Sequence, residues 1–590
     1  MKLLTGNEAI ARSAWEAGVQ FASAYPGTPS TEILENITQY EEIKSEWAPN
    51  EKVAMEAAAG ASLGGVRSIA SMKHVGVNVA ADPLFTFAYT GVNGGMVLVT
   101  ADEPGQHSSQ NEQDNRYYAL AAKLPMFEPA NSQECKDMLA AAYILSEEFD
   151  TPVLMRTTTR VSHSKSIVNC GDRVEIPAKP YKKNPAKNLM VPAHAVKRRT
   201  VVEQRMKDLA AYAESSPFNY IEQGGRIGVI ASGMCYHYAK EVFGGKATYL
   251  KLGFTNPLPE KLLTTFFCMV DTVYVIEEND PYLEHWIHSC GFTCHGKDTF
   301  PPFGEMTPDV LRHALKDDKL PVIEYNRDLI VPRPPTLCAG CPHRGVFYEL
   351  GRHKDVVISG DIGCYTLGFA DPYNTMDTSI CMGGAFSVGH GMQQAFEASG
   401  QKLRVVGILG DSTFFHTGIN SLTEVLYNAS RTICIILDNR ITGMTGHQEN
   451  PGSGKHAAGD PALVMDIGTI VRAMAIKNVV EINPNDMKAV RAALDEALAK
   501  DEASVIITKW PCVLKKMGIA EKAQFGNPFT VKCKVDDEIC IGCKLCIKSG
   551  CPAISMNKSK KKAEIDSPQC VGCGVCAQIC SKQAIMKEEK

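Results

Sequence analysis

The sequence has no long hydrophobic run, no excess of basic residues and no short-period internal repeat. No apolar stretch approaches the roughly 18 residues that a membrane-spanning helix requires. The chain turns polar soon after Met1, so we expect no signal peptide. A net charge of −5 gives no sign of the basic face that nucleic-acid binding requires. These absences predict a cytoplasmic protein without membrane or nucleic-acid partners.

The 590-residue chain is long enough for several globular domains. Helical segments alternate with apolar strand-like segments in two large blocks, and a segment rich in Pro and Lys and a smaller block lie between them. We therefore predict an α/β multidomain fold. Its predicted parts are a first α/β domain at 1–170, a linker at 171–221, a small α/β domain at 222–330, a second large α/β domain at 331–530 and an α+β domain at 531–590.

Eight of the 21 cysteines lie between residues 540 and 580. In a chain without an export signal we expect a reducing compartment, where such a group binds metal. Each of two runs has three cysteines at three-residue intervals and then a fourth, as in ferredoxin-like modules with two [4Fe–4S] clusters, where each fourth cysteine ligates the other cluster. The predicted ligands are Cys540, Cys543, Cys546 and Cys580 for the first cluster and Cys551, Cys570, Cys573 and Cys576 for the second.

These runs depart from the usual pattern in two places. Four residues instead of three precede Cys551, and no proline follows Cys580. Zinc knuckles and structural thiols are the alternative interpretations, but zinc sites usually use paired cysteines and not triple runs. The tail therefore predicts that the protein transfers electrons.

Two apolar runs in the second large block end in polar residues, Gly410-Asp411-Ser412 and Asp438-Asn439. Their separation fits one βαβ crossover, which places both turns at the carboxyl ends of adjacent strands, where open α/β sheets bind ligands. Carboxylate and amide oxygens suit an Mg²⁺ ion that bridges a diphosphate. The pattern resembles the magnesium–diphosphate motif of thiamine-diphosphate enzymes, with Ser412 where glycine is usual.

This resemblance implies that Asp411 and Asn439 bind Mg²⁺ through their side chains and Ile441 through its carbonyl. Gly410 and Ser412 would contact the cofactor. Gly383, in an upstream glycine-rich stretch, would pack on the cofactor, but a tight loop without a ligand explains it nearly as well. Such enzymes bind the cofactor between two similar α/β domains, one for the diphosphate and one for the pyrimidine.

In these enzymes a glutamate of the pyrimidine domain assists activation of the cofactor, and a helix with regularly spaced small residues follows it. Glu51 is followed by Ala54, Ala57 and Gly60. Glu56 is the competing candidate, and Glu51 is favoured. The alternative interpretation of Glu51 is an acidic residue that interacts with the dipole of its helix.

Thiamine diphosphate together with [4Fe–4S] clusters narrows the chemistry, and the chain resembles the 2-oxoacid:ferredoxin oxidoreductases over essentially its full length. Tyr25-Pro26-Gly27-Thr28-Pro29-Ser30 is similar to a loop of that family's pyrimidine domain. The resemblance implies that Thr28 contacts cofactor or substrate. Arg116 lies where relatives carry an arginine for the substrate carboxylate. A surface salt bridge is the alternative for Arg116.

A third [4Fe–4S] cluster is also implied by the resemblance. Many relatives hold one near the thiamine with cysteines placed like Cys338, Cys341 and Cys364, and Cys512 follows a proline where a fourth ligand is expected. Reduced buried thiols are the alternative interpretation.

The order of the domains resembles the larger subunit of family members that act on arylpyruvates such as indolepyruvate and phenylpyruvate. The implied reaction is oxidative decarboxylation with coenzyme A to arylacyl-CoA and CO₂, with ferredoxin as electron acceptor. Pyruvate, a branched-chain 2-oxoacid or 2-oxoglutarate are alternative substrates; a non-oxidative decarboxylase or a non-catalytic electron-transfer subunit are alternative roles. A smaller beta subunit of about 200 residues, the size of one or two domains, would complete a dimer of heterodimers.

Overall fold

The computed structural model describes residues 1–317, 324–526, 529 and 531–588. The chain divides into two units, Met1–Glu324 and Tyr325–Lys590. Both are built on parallel sheets flanked by helices, which confirms the predicted α/β multidomain class. No helix in the described part of the chain has the length and apolar character that a membrane crossing requires.

The first unit alternates strands and helices along most of its length. Its strands are β1 (Lys2–Thr5), β2 (Phe21–Ala24), β3 (Lys44–Trp47), β4 (Ser68–Lys73), β5 (Met96–Asp102), β6 (Met126–Phe127), β7 (Val153–Thr158), β8 (Lys165–Val168), β9 (Tyr220–Glu222), β10 (Ile227–Ser232), β11 (Ala247–Leu252), β12 (Phe254–Asn256) and β13 (Thr272–Ile276). Its helices are α1 (Gly6–Glu16), α2 (Thr31–Ile37), α3 (Glu51–Leu63), α4 (His74–Thr90), α5 (Arg116–Ala122), α6 (Ser132–Glu148), α7 (Thr159–His163), α8 (Pro185–Asn188), α9 (Pro192–Ser215), α10 (Gly233–Phe243), α11 (Glu260–Phe267), α12 (Tyr282–Ser289) and α13 (Pro308–Ala314).

The large sheet of this unit has the strand order β12-β6-β7-β5-β4-β2-β3 and is parallel except at β12. Every residue of β5 is buried, as expected for a central strand that is covered on both faces. A smaller sheet has the order β13-β10-β11-β9. Strand β12 comes from the predicted small domain but completes the large sheet, so the two predicted domains share one sheet.

The segment 171–221, predicted as a linker, differs from that prediction. It begins without regular structure, forms the short helix α8 and then forms the 24-residue helix α9. Arg205 in α9 donates to the carbonyl of Ala88 at 2.8 Å, and Arg198 donates to Asp150 at 2.9 Å. The Pro-rich composition is confined to the start of the segment, and the helix that follows packs on the first domain.

The second unit contains a six-stranded parallel sheet and two antiparallel strand pairs. Its strands are β14 (Val356–Gly360), β15 (Thr378–Ser379), β16 (Arg404–Gly410), β17 (Ile433–Asp438), β18 (Asn478–Ile482), β19 (Ser504–Lys509), β20 (Lys532–Val535), β21 (Ile554–Asn557), β22 (Lys562–Ile565) and β23 (Ile585–Glu588). Its helices are α14 (His343–Leu350), α15 (Ala385–Ala398), α16 (Asp411–Thr413), α17 (Ile419–Tyr427), α18 (Ile467–Ala473), α19 (Met487–Leu498), α20 (Ile519–Phe525) and α21 (Val575–Ile579).

The parallel sheet has the order β15-β14-β16-β17-β19-β18. The two apolar runs that the sequence marked lie in β16 and β17, which are neighbours with Gly410 opposite Leu437. The polar residues that follow them therefore lie side by side at the carboxyl edge of the sheet. In the cysteine tail, β20 pairs with β23 and β21 with β22.

Candidate active site and iron–sulfur centres

The carboxyl edge of the second unit's sheet brings the predicted magnesium ligands together. Asp411 follows β16 and is 2% exposed; the side-chain amide of Asn450 donates to its Oδ2 at 2.9 Å. Burial, and then the nearby Asp438 carboxylate, raise the pKa of Asp411 to about 7. A cation would stabilise two neighbouring buried carboxylates, so Asp411 and Asp438 provide an environment that fits a divalent metal.

The neighbouring loop supplies further oxygen atoms. Asn439 Oδ1 accepts from the backbone N–H of Ile441 at 3.2 Å, and the Thr442 hydroxyl donates to Ser412 Oγ at 3.0 Å. These bonds join the loop after β17 to the loop after β16. Carboxylate, amide, hydroxyl and carbonyl oxygens thus lie at one edge, the chemistry that Mg²⁺ and a diphosphate require.

Gly383 is fixed by a residue that sequence reasoning missed. The buried Asp361 carboxylate accepts backbone N–H bonds from Gly383 and Ala385, both at 2.9 Å. Burial raises the pKa of Asp361 to about 6. Gly383 has φ +83°, and a Cβ there would overlap the Thr417 hydroxyl. These contacts explain a glycine here without a ligand, and a cofactor contact stays a prediction.

Of the two candidate glutamates in the first unit, the structure favours Glu51. Asn50 caps α3 by accepting from the Val53 N–H at 2.9 Å, and Glu51 is 5% exposed in the first turn. Glu56 is exposed and forms a surface ion pair with Lys52. A Cβ added at Gly76 of α4 would lie 2.7 Å from both Cγ and Oε1 of Glu51, so Gly76 leaves the space that the Glu51 carboxyl occupies.

A lysine lies beside this glutamate. Lys73 ends β4, and its Nζ is 3.7 Å from Glu103 Oε2. Burial lowers the pKa of Lys73, while the Glu103 and Glu51 carboxylates oppose that shift. The loop that contains Thr28 follows β2, and its Gly27 packs against the Lys73 side chain. The structure thus collects Thr28, Glu51 and Lys73 at the carboxyl edge of one sheet.

Arg116 is a correction to the sequence prediction. It is 1% exposed, with Nε on Asp114 at 2.9 Å and NH1 on Glu277 at 2.7 Å. Its remaining nitrogen donates to Asp114 and to the carbonyls of Glu278 and Asp280. Because every guanidinium nitrogen is engaged, the structure contradicts a role in holding a substrate carboxylate. The alternative of a surface salt bridge is also wrong, because the pairs are buried.

In the tail, the eight cysteines surround two cavities. The first is lined by Cys540, Cys543, Cys546 and Cys580, and the second by Cys551, Cys570, Cys573 and Cys576. These are the two predicted ligand sets, three from one run and one from the other. Among the described residues no three His, Cys, Asp or Glu side chains converge on one metal ion. A cluster does not require that, because each of its thiolates binds a different iron.

The extra residue before Cys551 has a visible role. Gly550 has φ +61°, and a Cβ there would lie 2.7 Å from the Tyr373 hydroxyl. That hydroxyl donates to the Ser549 carbonyl at 2.5 Å. The longer loop before Cys551 thus reaches Tyr373 in the second large α/β domain of the same unit.

The four cysteines predicted for a third cluster lie near one another. Burial, followed by the thiols of Cys512 and Cys338, raises the pKa of Cys364 to about 11. Burial, with smaller effects from Cys364 and Cys512, raises the pKa of Cys341. The Cys512 N–H donates to the carbonyl of Asn439 at 3.0 Å, which places this group beside the predicted magnesium ligands.

Two further residues beside the second cavity were missed. Cys533 in β20 is buried, and its N–H donates to Cys570 Sγ at 3.3 Å. It is a ninth cysteine just before the first run, a signal that the sequence did offer. Arg344 also lines this cavity, and it follows Cys341 closely in sequence.

Comparison with known proteins matches three family models to this chain. Residues 12–223 match a pyruvate flavodoxin/ferredoxin oxidoreductase thiamine-diphosphate-binding domain, residues 361–508 the C-terminal TPP-binding domain of thiamine pyrophosphate enzymes, and residues 532–581 a 4Fe-4S dicluster domain. These matches confirm two thiamine-diphosphate-binding domains and an iron–sulfur domain at the C-terminal end.

The chain is also similar along most of its length to curated proteins named indolepyruvate oxidoreductase subunit IorA. It is 39% identical to the protein from Archaeoglobus fulgidus, covering 94% of this chain and 93% of the relative. Identity is 41% to that from Methanothermobacter thermautotrophicus (93% and 92% covered) and 37% to that from Pyrococcus horikoshii (98% and 95% covered).

Proposed function

The chain belongs to the family of indolepyruvate oxidoreductase subunit IorA, and on that premise we propose that it catalyses ferredoxin-dependent oxidative decarboxylation of arylpyruvates. The membership confirms the family resemblance seen in the motifs. The chain is an oxidoreductase that acts on 2-oxoacids. Indolepyruvate and phenylpyruvate are the proposed substrates, coenzyme A the acyl acceptor, and arylacyl-CoA and CO₂ the products. The observation that carries this choice is the similarity to proteins of that name over nearly the whole of both chains.

Thiamine diphosphate, when bound, supplies a nucleophilic carbon and an electron sink for the loss of CO₂. We propose that Asp411, Asn439 and the Ile441 carbonyl hold Mg²⁺, and that Gly410 and Ser412 lie against the diphosphate. The fit rests on the paired buried acids and the joined loops described above.

On the pyrimidine side, Glu51 holds and moves a proton. Its burial and the space that Gly76 leaves for its carboxyl support this role. Lys73 lies beside Glu51 and Glu103, whose carboxylates oppose the lowering of its pKa by burial. Thr28 is proposed to contact cofactor or substrate from the loop after β2.

Electrons leave through iron–sulfur clusters. We assign one cluster to each tail cavity and a third to Cys338, Cys341, Cys364 and Cys512. The relatives are named as a subunit, which supports a partner chain. We propose a smaller beta subunit of about 200 residues, one or two domains in size, in a dimer of heterodimers, with ferredoxin as acceptor.

The test is an assay of the purified complex, made anaerobically, with a panel of 2-oxoacids, coenzyme A and a viologen dye. We expect CoA-dependent dye reduction with indolepyruvate and phenylpyruvate. Part of the chain is also 29% identical to a 2-oxoglutarate synthase subunit KorA over 184 residues, so 2-oxoglutarate belongs in the panel together with pyruvate and a branched-chain 2-oxoacid. Activity with one of those but none with arylpyruvates refutes the proposed substrate. Aldehyde release without dye reduction refutes oxidation.

Metal and cofactor analysis of the same preparation tests the sites. About eight irons per chain correspond to two clusters and about twelve to three, at four irons each. Thiamine diphosphate and Mg²⁺ should be present in equal amounts.

A further inference from the structure

Arg344 is a buried cation whose hydrogen-bond partners are all uncharged. It lies in the first turn of α14 and is 1% exposed. Its Nε donates to the Cys338 carbonyl at 2.9 Å, NH1 to the Tyr373 hydroxyl at 2.7 Å and to the Ser549 carbonyl at 3.2 Å, and NH2 to the Leu337 carbonyl. Within the described ranges 1–317, 324–526, 529 and 531–588, no carboxylate forms an ion pair with it.

This arrangement is costly unless an anion is close. Removing a charge from water without a counter-charge is strongly unfavourable, and neutral hydrogen bonds offset only part of that cost. Other buried arginines of this chain follow the rule: Arg116 pairs with Asp114 and Glu277, and Arg156 pairs with Asp102 and Glu128. Arg344 therefore indicates a negative group other than an aspartate or glutamate.

The second tail cavity lies beside Arg344. Arg344 lines the second tail cavity together with the four cysteines of the second predicted ligand set. The loop that precedes it forms part of the same wall: Ala339 and Gly340 line the cavity, and a Cβ at Gly340 would overlap the side chain of Val571. The Ser549 carbonyl that Arg344 binds is two residues before Cys551.

We propose that Arg344 is the counter-charge of the second [4Fe–4S] cluster and raises that cluster's reduction potential. The negative charges of four thiolates exceed the positive charge of the iron–sulfide core, so the cluster is an anion. When it accepts one electron it gains one negative charge, and no bond forms or breaks. A fixed cation in a dry site stabilises the reduced form more than the oxidised form. The inference rests on the proposed assignment of the second cluster.

Because Arg344 is proposed to act through its charge, the test measures the midpoint potential of the second cluster. We would titrate the anaerobic holoenzyme complex by EPR-monitored redox titration as wild type, Arg344→Gln and Arg344→Lys. Cys573→Ala identifies which signal belongs to the second cluster. Arg352→Gln is the matched control, because Arg352 follows α14 closely and its side chain is 52% exposed.

We expect Arg344→Gln to shift the second cluster to a more negative midpoint potential and to leave the signal of the first tail cluster unchanged. Arg344→Lys and Arg352→Gln should stay close to wild type. Loss of the second cluster in Arg344→Gln but not in Arg344→Lys would also support a need for the charge. No shift in Arg344→Gln, equal effects of Gln and Lys, or a shift confined to a signal that Cys573→Ala retains would overturn the proposal. A wild-type complex with fewer than about eight irons per chain would instead refute the cluster assignment itself.

Discussion

Replacing Gly76 by alanine tests the role of Glu51 without touching Glu51. The added Cβ would lie 2.7 Å from Cγ and Oε1 of the Glu51 side chain. An ordinary contact between such atoms is about 3.5 Å, so the carboxyl must move by about 0.8 Å. A misplacement of about 1 Å at a reacting group costs about 10²-fold in rate, and we expect that loss in kcat.

Stability should change little in this variant, because two effects oppose each other. Alanine is preferred over glycine inside a helix by about 1 kcal/mol, and a tight new contact in a packed region costs about 1–3 kcal/mol. The end of a flexible side chain can yield, so the net change should stay within about 2 kcal/mol. Denaturant unfolding monitored by circular dichroism measures it.

The decisive measurement is a double-mutant cycle on dye reduction with indolepyruvate. Glu51→Gln should lower kcat by about 10²–10⁴-fold, and adding Gly76→Ala to it should cause no further loss. Gly391→Ala is the control, since Gly391 is also helical and a Cβ there meets nothing within 4 Å. A wild-type kcat in Gly76→Ala would refute this role of Glu51. An equal fall in kcat when Gly76→Ala is added to the wild type and to Glu51→Gln would refute it as well.

Four further outcomes follow from the geometry. Asp411→Asn should abolish thiamine diphosphate binding and dye reduction but should leave the iron content of the tail unchanged. Because the substitution removes repulsion with Asp438, the unfolding midpoint of the cofactor-free protein should not fall. Unchanged dye reduction would favour a non-catalytic electron-transfer role. Cys512→Ala should lower the iron content from about twelve to about eight per chain if the third cluster exists, and equal iron in both proteins would refute that cluster. Arg116→Met should cost about 3–5 kcal/mol in unfolding free energy because Asp114 and Glu277 lose their partner, whereas a stable variant with only a higher KM would restore the substrate role. Burial raises the pKa of Glu278 to about 7, above its unfolded value. The contribution of Glu278 to stability is therefore present at low pH and is lost as pH rises through about 4.5–7. Glu278→Gln should flatten that part of the plot of unfolding free energy against pH, and an unchanged slope would contradict this prediction.

The sequence predicted best the features that local chemistry dictates. Cysteine spacing is set by the size of an iron–sulfur cube, so the eight tail cysteines fall into the predicted two groups. A βαβ crossover has nearly fixed geometry, so Asp411 and Asn439 come to adjacent strand ends. Neither inference depends on how distant segments pack.

Predictions that depend on distant segments were weaker. The environment of Arg116 is set in part by Glu277, 161 residues later in the chain, and no local pattern contains that part of the information. Helix α9 was not predicted, because the Pro- and Lys-rich residues before it indicated a linker. No local pattern marks Arg344, and its bond to the Ser549 carbonyl, 205 residues away, shows which part of the tail it contacts.

The exchange of ligands between the two cysteine runs also determines how the tail can be damaged. Cys580 from the second run lies in the first cavity, and Cys551 from the first run lies in the second. On the proposed assignment, each cluster would cross-link the two halves of the tail. Oxidative breakdown of either cluster would then release thiolates from both runs and loosen the binding site of the other.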